Sequence, residues 1–182
     1  GPYSVLQPKA AQKKMRELTG GGTGFIKTLI DMDPPEHALY RSLTSGWFQP
    51  ANLSKLEPQM RALARSMVEE MAATGGKCDF VTQIALLYPL RVIMQILGLP
   101  AQDEAMMLKL TQEMFGSTDP ELNQRGGGSF NMEDESQDLD LTSINEMIAY
   151  FDKLTEERRK NPTDDLASFI ANGKINGEPM PY

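Results

Sequence analysis

The stretch Asp33-Pro34-Pro35-Glu36-His37-Ala38-Leu39-Tyr40-Arg41 decides how the rest of the chain is interpreted. Asp33 is a residue type that caps helices, and Pro34 suits a first helical turn. His37 and Arg41 are then four residues apart on one helix, so they share a face and can bind one anionic group together. An ordinary pair of surface residues on an amphipathic helix is the alternative interpretation.

The acidic composition argues against several classes of function. The 182 residues carry 25 acidic and 18 basic side chains, a net charge of -7, and a field of this sign repels nucleic acid. No apolar run reaches the length of a membrane span and no N-terminal segment resembles a signal peptide, so no membrane contact and a cytoplasmic location are predicted. The single cysteine and single histidine exclude an internal disulfide and a zinc site made by the protein alone. No catalytic residue and no metal ligand is assigned.

Apolar residues recur every three or four positions along most of the chain, which predicts an all-α fold in a single unit covering residues 1–182. The spacing predicts helices over about 34–46, 53–74, 79–97, 106–114, 141–160 and 164–170. Ser54 and Glu57 match a capping box near the start of the second helix. Pro58 would cost a hydrogen bond if that helix began much earlier.

The third predicted helix is apolar on most sides, which is typical of a helix at the centre of a fold. Asp79 opens it, Pro89 is expected to bend it, and Gly98-Leu99-Pro100 ends it. Near the end of the chain, Asn172-Gly173 and Asn176-Gly177 bracket two residues that are predicted to form a small hairpin.

Residues 117–140 are predicted to be a mobile loop. They contain Pro120, the run Gly126-Gly127-Gly128 and five acidic side chains between positions 133 and 140. The spacing of an EF-hand is missing, so calcium binding is not indicated. A position between two helices suits a lid that opens for a substrate, and a solvated linker is the alternative.

The nine-residue string at positions 33–41 resembles the helix of bacterial haem-thiolate monooxygenases, the cytochromes P-450, whose His and Arg bind the haem propionates. The resemblance covers about Gly20 to Pro179 and continues through four further segments. These are Arg41-Ser42-Leu43-Thr44, Trp47-Phe48-Gln49-Pro50, Lys77-Cys78-Asp79-Phe80 and Met107-Leu108-Lys109-Leu110-Thr111-Gln112. They are most like the terpineol type of the family, and Ile170-Ala171-Asn172-Gly173 with Asn176-Gly177 is also like the camphor type.

The resemblance implies the helical central portion of the cytochrome P-450 fold, truncated before the oxygen-activating helix and the haem-ligand loop. It implies that His37 and Arg41 bind haem propionates. It also aligns Ile30, Thr111 and Phe115 with positions that line the substrate pocket. Leu29 lies beside Ile30 and is assigned to the same pocket. Packing in the protein core is the alternative role for these four.

The cofactor implied for the complete protein is haem b, with an iron ligand that this chain lacks. Cys78 is rejected as that ligand because it follows a Gly-Gly turn instead of lying in the family's glycine-rich loop, and it is expected to be a small buried thiol.

The function implied is that of a haem-dependent monooxygenase that hydroxylates a small hydrophobic compound, a terpenoid or an aromatic, with O2 and electrons from a ferredoxin and its reductase. The chain alone is predicted to be inactive. Two alternatives are a stand-alone helical module that binds a hydrophobic small molecule and a helical interaction domain without a ligand.

Overall fold

A computed structural model describes residues 28–115 and 142–180, and the all-α prediction is confirmed in them. The helices are α1 (Glu36–Ser45), α2 (Pro50–Ala73), α3 (Leu87–Leu97), α4 (Glu104–Phe115), α5 (Thr142–Lys160) and α6 (Leu166–Ala171). Short 3-10 turns cover Leu29–Asp31 and Ala101–Asp103, a π-helical turn covers Val81–Ala85, and a two-stranded antiparallel hairpin joins β1 (Lys174–Ile175) to β2 (Glu178–Pro179). None of the described helices is both long and apolar enough to span a membrane.

Helix α2 begins earlier than the capping box predicts. Gln49 is its extended N-cap residue and Pro50 is its first residue, a position at which the missing N–H of proline costs nothing. The Ser54 hydroxyl donates to the Ala51 carbonyl at 3.0 Å, so it does not cap the helix and the capping-box prediction is wrong. Pro58 lies inside the helix on its exposed side, where water can solvate the carbonyl that loses its partner.

A π-helical turn lies just before α3, and the bend expected at Pro89 stays a prediction. In this turn the Leu86 N–H donates to the Val81 carbonyl, five residues back, at 3.0 Å. Pro89 lies in the first turn of α3, where its missing N–H costs little. The Asp79 carboxylate accepts from the Val81 N–H at 3.0 Å, which confirms that Asp79 opens this segment. Gly98 ends α3 in a left-handed conformation, with φ 67 and ψ 31.

The hydrophobic core lies where α3, α4 and α5 meet. Its buried members are two methionines and three leucines: Met94, Leu99, Met107, Leu110 and Leu154. Helix α3 also packs against α2 and α6, so the prediction that the most apolar helix is central is confirmed. Flexible methionine side chains fill the space between helices that cross at this point.

A buried ion pair joins three helices at one junction, which we call the Arg158 junction. The Arg158 Nε lies 3.0 Å from Asp165 Oδ2, and the two side chains are only 9% and 10% exposed. A second guanidinium nitrogen donates to the Gly98 carbonyl at 2.7 Å. Asp165 caps α6 by accepting from the Ser168 N–H at 2.7 Å, so the ends of α3 and α5 and the start of α6 are fixed together.

The predicted hairpin is confirmed and packs near α1. Asn176 and Gly177 have φ 54 and 86, the left-handed values that a two-residue turn of this kind needs. The Arg159 side chain donates to the Ala171 carbonyl at 2.9 Å and to the Met180 carbonyl at 2.5 Å, which ties the hairpin to α5. Gly173 lies so close to the Leu43 side chain of α1 that an added Cβ would overlap with it.

Two predictions about the loops have different outcomes. Cys78 is exposed, so the prediction of a buried thiol is wrong; it follows the Gly75-Gly76 turn, which leaves the segment on the surface. The predicted lid at 117–140 lies outside the described residues.

Candidate functional site

Helix α1 presents the predicted His37–Arg41 pair, although it begins differently from the prediction. Its first residue is Glu36 and its N-cap residue is Pro35, without a capping side chain. The Asp33 carbonyl, and not its carboxylate, accepts a hydrogen bond from the His37 N–H at 3.0 Å. The prediction that Asp33 caps the helix is therefore wrong, because the two prolines after it precede the helix instead of starting it.

The pair lies on the side of α1 opposite the residues that anchor the helix. With about 100° of rotation per residue, Leu39 and Leu43 are about 200° around the helix from His37 and Arg41 respectively. Leu39 and Leu43 are both half-buried, and Leu43 packs against Gly173. His37 is half-buried and Arg41 is exposed. The leucines thus fix the orientation of the helix and turn the two nitrogen-bearing side chains away from the hairpin.

Neither side chain of the pair has a partner within the part of the chain that the structure describes. No described residue makes a hydrogen bond or an ion pair with the His37 imidazole or the Arg41 guanidinium. The two residues are four positions apart, about 6 Å along the helix axis. An anion with two arms can therefore be bound by both without breaking any existing interaction.

The four residues predicted to face a substrate lie on two separate elements. Leu29 and Ile30 are 40% and 82% exposed on a 3-10 turn that packs against α1. Thr111 is half-buried on α4, which packs against α3 and α5. Phe115 is the last residue of α4 and its side chain lies outside the described part of the chain. Leu29 and Ile30 therefore lie next to the candidate site. That all four residues line one substrate pocket stays a prediction.

The described residues fit the arms of an anionic cofactor and do not supply a metal centre. Among them, no group of three or more His, Cys, Asp or Glu side chains is placed to bind a metal ion. Cys78 lies in the exposed segment between α2 and the π-helical turn, whereas α1 packs against α6, β1 and the first 3-10 turn. The chemistry of the donors at α1 matches carboxylates, such as the propionates of haem.

An ion-pair network around Arg91 was not predicted from the sequence. Both outer nitrogens and the Nε of this guanidinium are used: Nε and Nη2 donate to the Glu104 carboxylate at 2.6 and 3.1 Å, and Nη1 lies 3.4 Å from Glu70. The hydrogen bond to Glu104 is the main cause that raises the pKa of Arg91 above its ordinary value, against the opposing effect of burial. A single charged residue within the apolar run Leu87–Leu97 was the available signal, because such a charge needs a partner from another helix.

A second missed contact joins α5 to the second 3-10 turn. The Tyr150 hydroxyl donates to the Asp103 carboxylate at 2.7 Å. Burial, followed by this hydrogen bond, raises the pKa of Tyr150 far above its ordinary value. The start of α4 is thus fixed from two sides, by Tyr150 and by Arg91.

Comparison with known proteins finds the same family by sequence and by structure, although no protein-family model matches the chain. The chain is 42% identical over 173 residues to the P-450-terp cytochrome of a Pseudomonas species, which covers 95% of the chain and 40% of that protein. It is 32% identical over 153 residues to the steroid C26-monooxygenase of Mycolicibacterium smegmatis, which covers 84% of the chain and 32% of that protein. The crystal structure of CYP108D1 from Novosphingobium aromaticivorans superposes on all of the chain and on 40% of its own length, with a TM-score of 0.75 and 37% identity.

Fold and sequence together define one class of protein, the cytochromes P-450. The chain belongs to the bacterial cytochrome P-450 family, as the resemblance of its sequence predicts. It spans 40% or less of the length of these relatives. The similarity to the P-450-terp cytochrome extends over nearly the whole chain.

Proposed function

We propose that the chain is the helical central portion of a haem-dependent monooxygenase and that His37 and Arg41 bind the haem propionates. The observation that carries this proposal is the pair of unpartnered nitrogen-bearing side chains on α1, opposite the leucines that anchor the helix. Haem carries two carboxylate arms, so one arm can accept from each side chain. Each charge-assisted hydrogen bond contributes about 1.5–3 kcal/mol where water is excluded.

Haem held by a cysteine thiolate supplies oxygen activation in this family, since electron donation from the sulfur favours O–O cleavage. The part of this chain is to bind and orient the cofactor. We propose that the thiolate ligand lies outside these 182 residues and that the cofactor is haem b. The chain alone is then expected to be inactive.

The proposed substrate is a small hydrophobic compound, a terpenoid or an aromatic, oxidised with O2 and electrons from a ferredoxin and its reductase. Two observations support an apolar substrate. Leu29 and Ile30 expose apolar side chains next to α1, and one similar protein is named a linalool 8-monooxygenase, at 29% identity over 90% of the chain. Thr111 and Phe115, four residues apart on α4, are proposed to line another wall of the same pocket. We also propose that the protein is cytoplasmic.

The test of the propionate site compares Arg41→Ala with Arg65→Ala in the haem-containing protein of which this chain is proposed to be part. Both residues are exposed arginines, and Arg65 lies on α2. Haem transfer to an excess of a haem-free globin gives the rate of haem release. We expect Arg41→Ala to release haem at least about tenfold faster than the unchanged protein, which is the loss of one charge-assisted hydrogen bond. Equal rates for Arg41→Ala and Arg65→Ala would refute the assignment.

The test of the function is the mass and spectrum of the protein isolated from its source. A mass more than twice the 20.2 kDa of this chain, with the carbon monoxide spectrum of thiolate-ligated haem, supports the monooxygenase. A mass near that of the chain, without haem absorption, supports the stand-alone helical module that binds a hydrophobic small molecule. A thiolate-type spectrum from the 182-residue chain with added haem would overturn the prediction that it lacks the ligand.

A further inference from the structure

A pocket with a volume of about 340 Å³ lies between α2, α3 and the start of α4, away from the His37–Arg41 pair. This volume is within the range of pockets that bind small molecules. Its apolar lining is contributed by Leu63 of α2, Met94 of α3, and Leu99 and Ala101 of the segment that leads to α4. A compact apolar ligand in this pocket would therefore contact α2, α3 and the start of α4.

The charged residues of the pocket are not equally satisfied. Arg91 and Glu104 form a bidentate pair, with nitrogen–oxygen distances of 2.6 and 3.1 Å, so each largely neutralises the other. Glu70 has only long contacts, at 3.4 Å to Arg91 and 3.3 Å to the Ser66 hydroxyl, and its side chain is 52% exposed. A carboxylate has about four acceptor positions, so Glu70 can accept further strong hydrogen bonds.

From this arrangement we propose that the pocket binds a small organic ammonium ion. The apolar body of the ligand rests on Leu63, Met94 and Leu99, and its ammonium group donates to Glu70. Two carboxylates and one guanidinium line the pocket, those of Glu70, Glu104 and Arg91, so its net charge is one negative unit. The chain as a whole is also negative, with a net charge of -7. A cation is thus the complementary charge. The Gln95 amide also lines the pocket and is neutral, so it does not change this charge balance. The proposal is independent of haem binding at α1.

The occupant has a structural consequence at the start of α4. The same segment is already fixed by Arg91 through Glu104 and by Tyr150 through Asp103. A ligand seated on Leu99 and Ala101 adds a third contact at this place. Binding is therefore expected to raise the melting temperature of the protein as well as to change the surroundings of the pocket.

The experiment titrates 2-phenylethylammonium and its neutral analogue 2-phenylethanol into the chain labelled with carbon-13 at the methionine methyl groups. The Met94 methyl resonance reports occupancy, because Met94 lines the pocket. We expect the ammonium ion to bind at least about tenfold more tightly than the alcohol, the contribution of one charge-assisted hydrogen bond. Glu70→Gln should reduce the affinity for the ammonium ion to that for the alcohol.

Two further variants make the outcome specific. Glu69→Gln removes the same charge from the neighbouring exposed position, which does not line the pocket, and should leave the affinity unchanged. Ala101→Phe places a large side chain in the pocket from an exposed position and should abolish binding of both ligands. Equal affinities for ammonium ion and alcohol, equal losses in Glu69→Gln and Glu70→Gln, or a Met94 methyl that does not respond to millimolar ligand would each overturn the proposal.

Discussion

Replacing Arg158 with methionine should destabilise the protein far more than the same replacement at a surface ion pair. Arg158 and Asp165 are 9% and 10% exposed, and removing one partner of a buried pair costs about 3–5 kcal/mol because the other charge stays buried and unpaired. Asp165 would keep two donors, the Thr163 hydroxyl at 2.5 Å and the Ser168 N–H at 2.7 Å. The Gly98 carbonyl would lose its donor at 2.7 Å. We therefore expect a loss of about 3–4 kcal/mol in the free energy of unfolding.

Urea-induced unfolding followed by circular dichroism measures this loss, provided that the dependence on urea is the same in both proteins. The matched control is Arg61→Met, since Arg61 pairs with Glu57 at 2.7 Å with side chains 75% and 60% exposed. Such a surface pair contributes about 0.3–0.5 kcal/mol. The double variant Arg158→Met with Asp165→Asn should lose less stability than the two single variants lose in sum, because it leaves no buried charge. A loss below about 1 kcal/mol for Arg158→Met, or one equal to that of Arg61→Met, would refute the reasoning.

Two further predictions concern single positions near the start of α4 and the end of α3. Gly98→Ala should cost more than Gly75→Ala: both glycines have left-handed φ, 67 and 73, but an added Cβ at position 98 overlaps with the Asp165 side chain and one at position 75 meets open space. In urea unfolding, the free energy of unfolding should fall by about 1 kcal/mol for Gly75→Ala and by at least about 2 kcal/mol for Gly98→Ala. Equal losses at the two positions would contradict the contact with Asp165. Tyr150 has a pKa raised by burial and by Asp103 from an ordinary value of 10.0, so it stays protonated in the folded protein where the unfolded chain ionises. The contribution of Tyr150 to the free energy of unfolding is therefore complete below pH 10 and is lost as the pH rises further. The difference in this free energy between the unchanged protein and Tyr150→Phe should shrink above pH 10. A difference that stays constant across this range would contradict the prediction.

Features that depend on neighbours in the sequence could be predicted from it. Helical spacing predicts α1, α2, α4, α5 and α6 to within about three residues at each end, because the burial of an apolar stripe is a local pattern. The helix predicted over 79–97 is divided, since a π-helical turn covers Val81–Ala85 and α3 begins at Leu87. The turn at Asn176-Gly177 needs left-handed backbone conformations that these residue types adopt readily, and it is confirmed. The placement of His37 and Arg41 on one face of a helix follows from their spacing alone.

Features that depend on distant residues could not be predicted in the same way. Arg158 donates to the Gly98 carbonyl, sixty positions away in sequence, and the side chain gives no local sign of this partner. The starts of α1 and α2 differ from the prediction because proline-rich entries offer several possible first residues, and the local pattern does not choose among them. Glu70 and Ala101 meet at one pocket only because α2 packs against α3.

The most direct test of the central proposal compares haem with its dimethyl ester, in which both propionates are uncharged. The affinities of both cofactors are measured for the haem-containing protein and for its variant with His37→Ala and Arg41→Ala. We predict that the variant binds haem at least about a hundredfold more weakly, the loss of two charge-assisted hydrogen bonds, and that it binds the ester as tightly as the unchanged protein does. If the two substitutions weakened the binding of haem and of its ester by the same factor, the pair would act on the fold and not on the propionates.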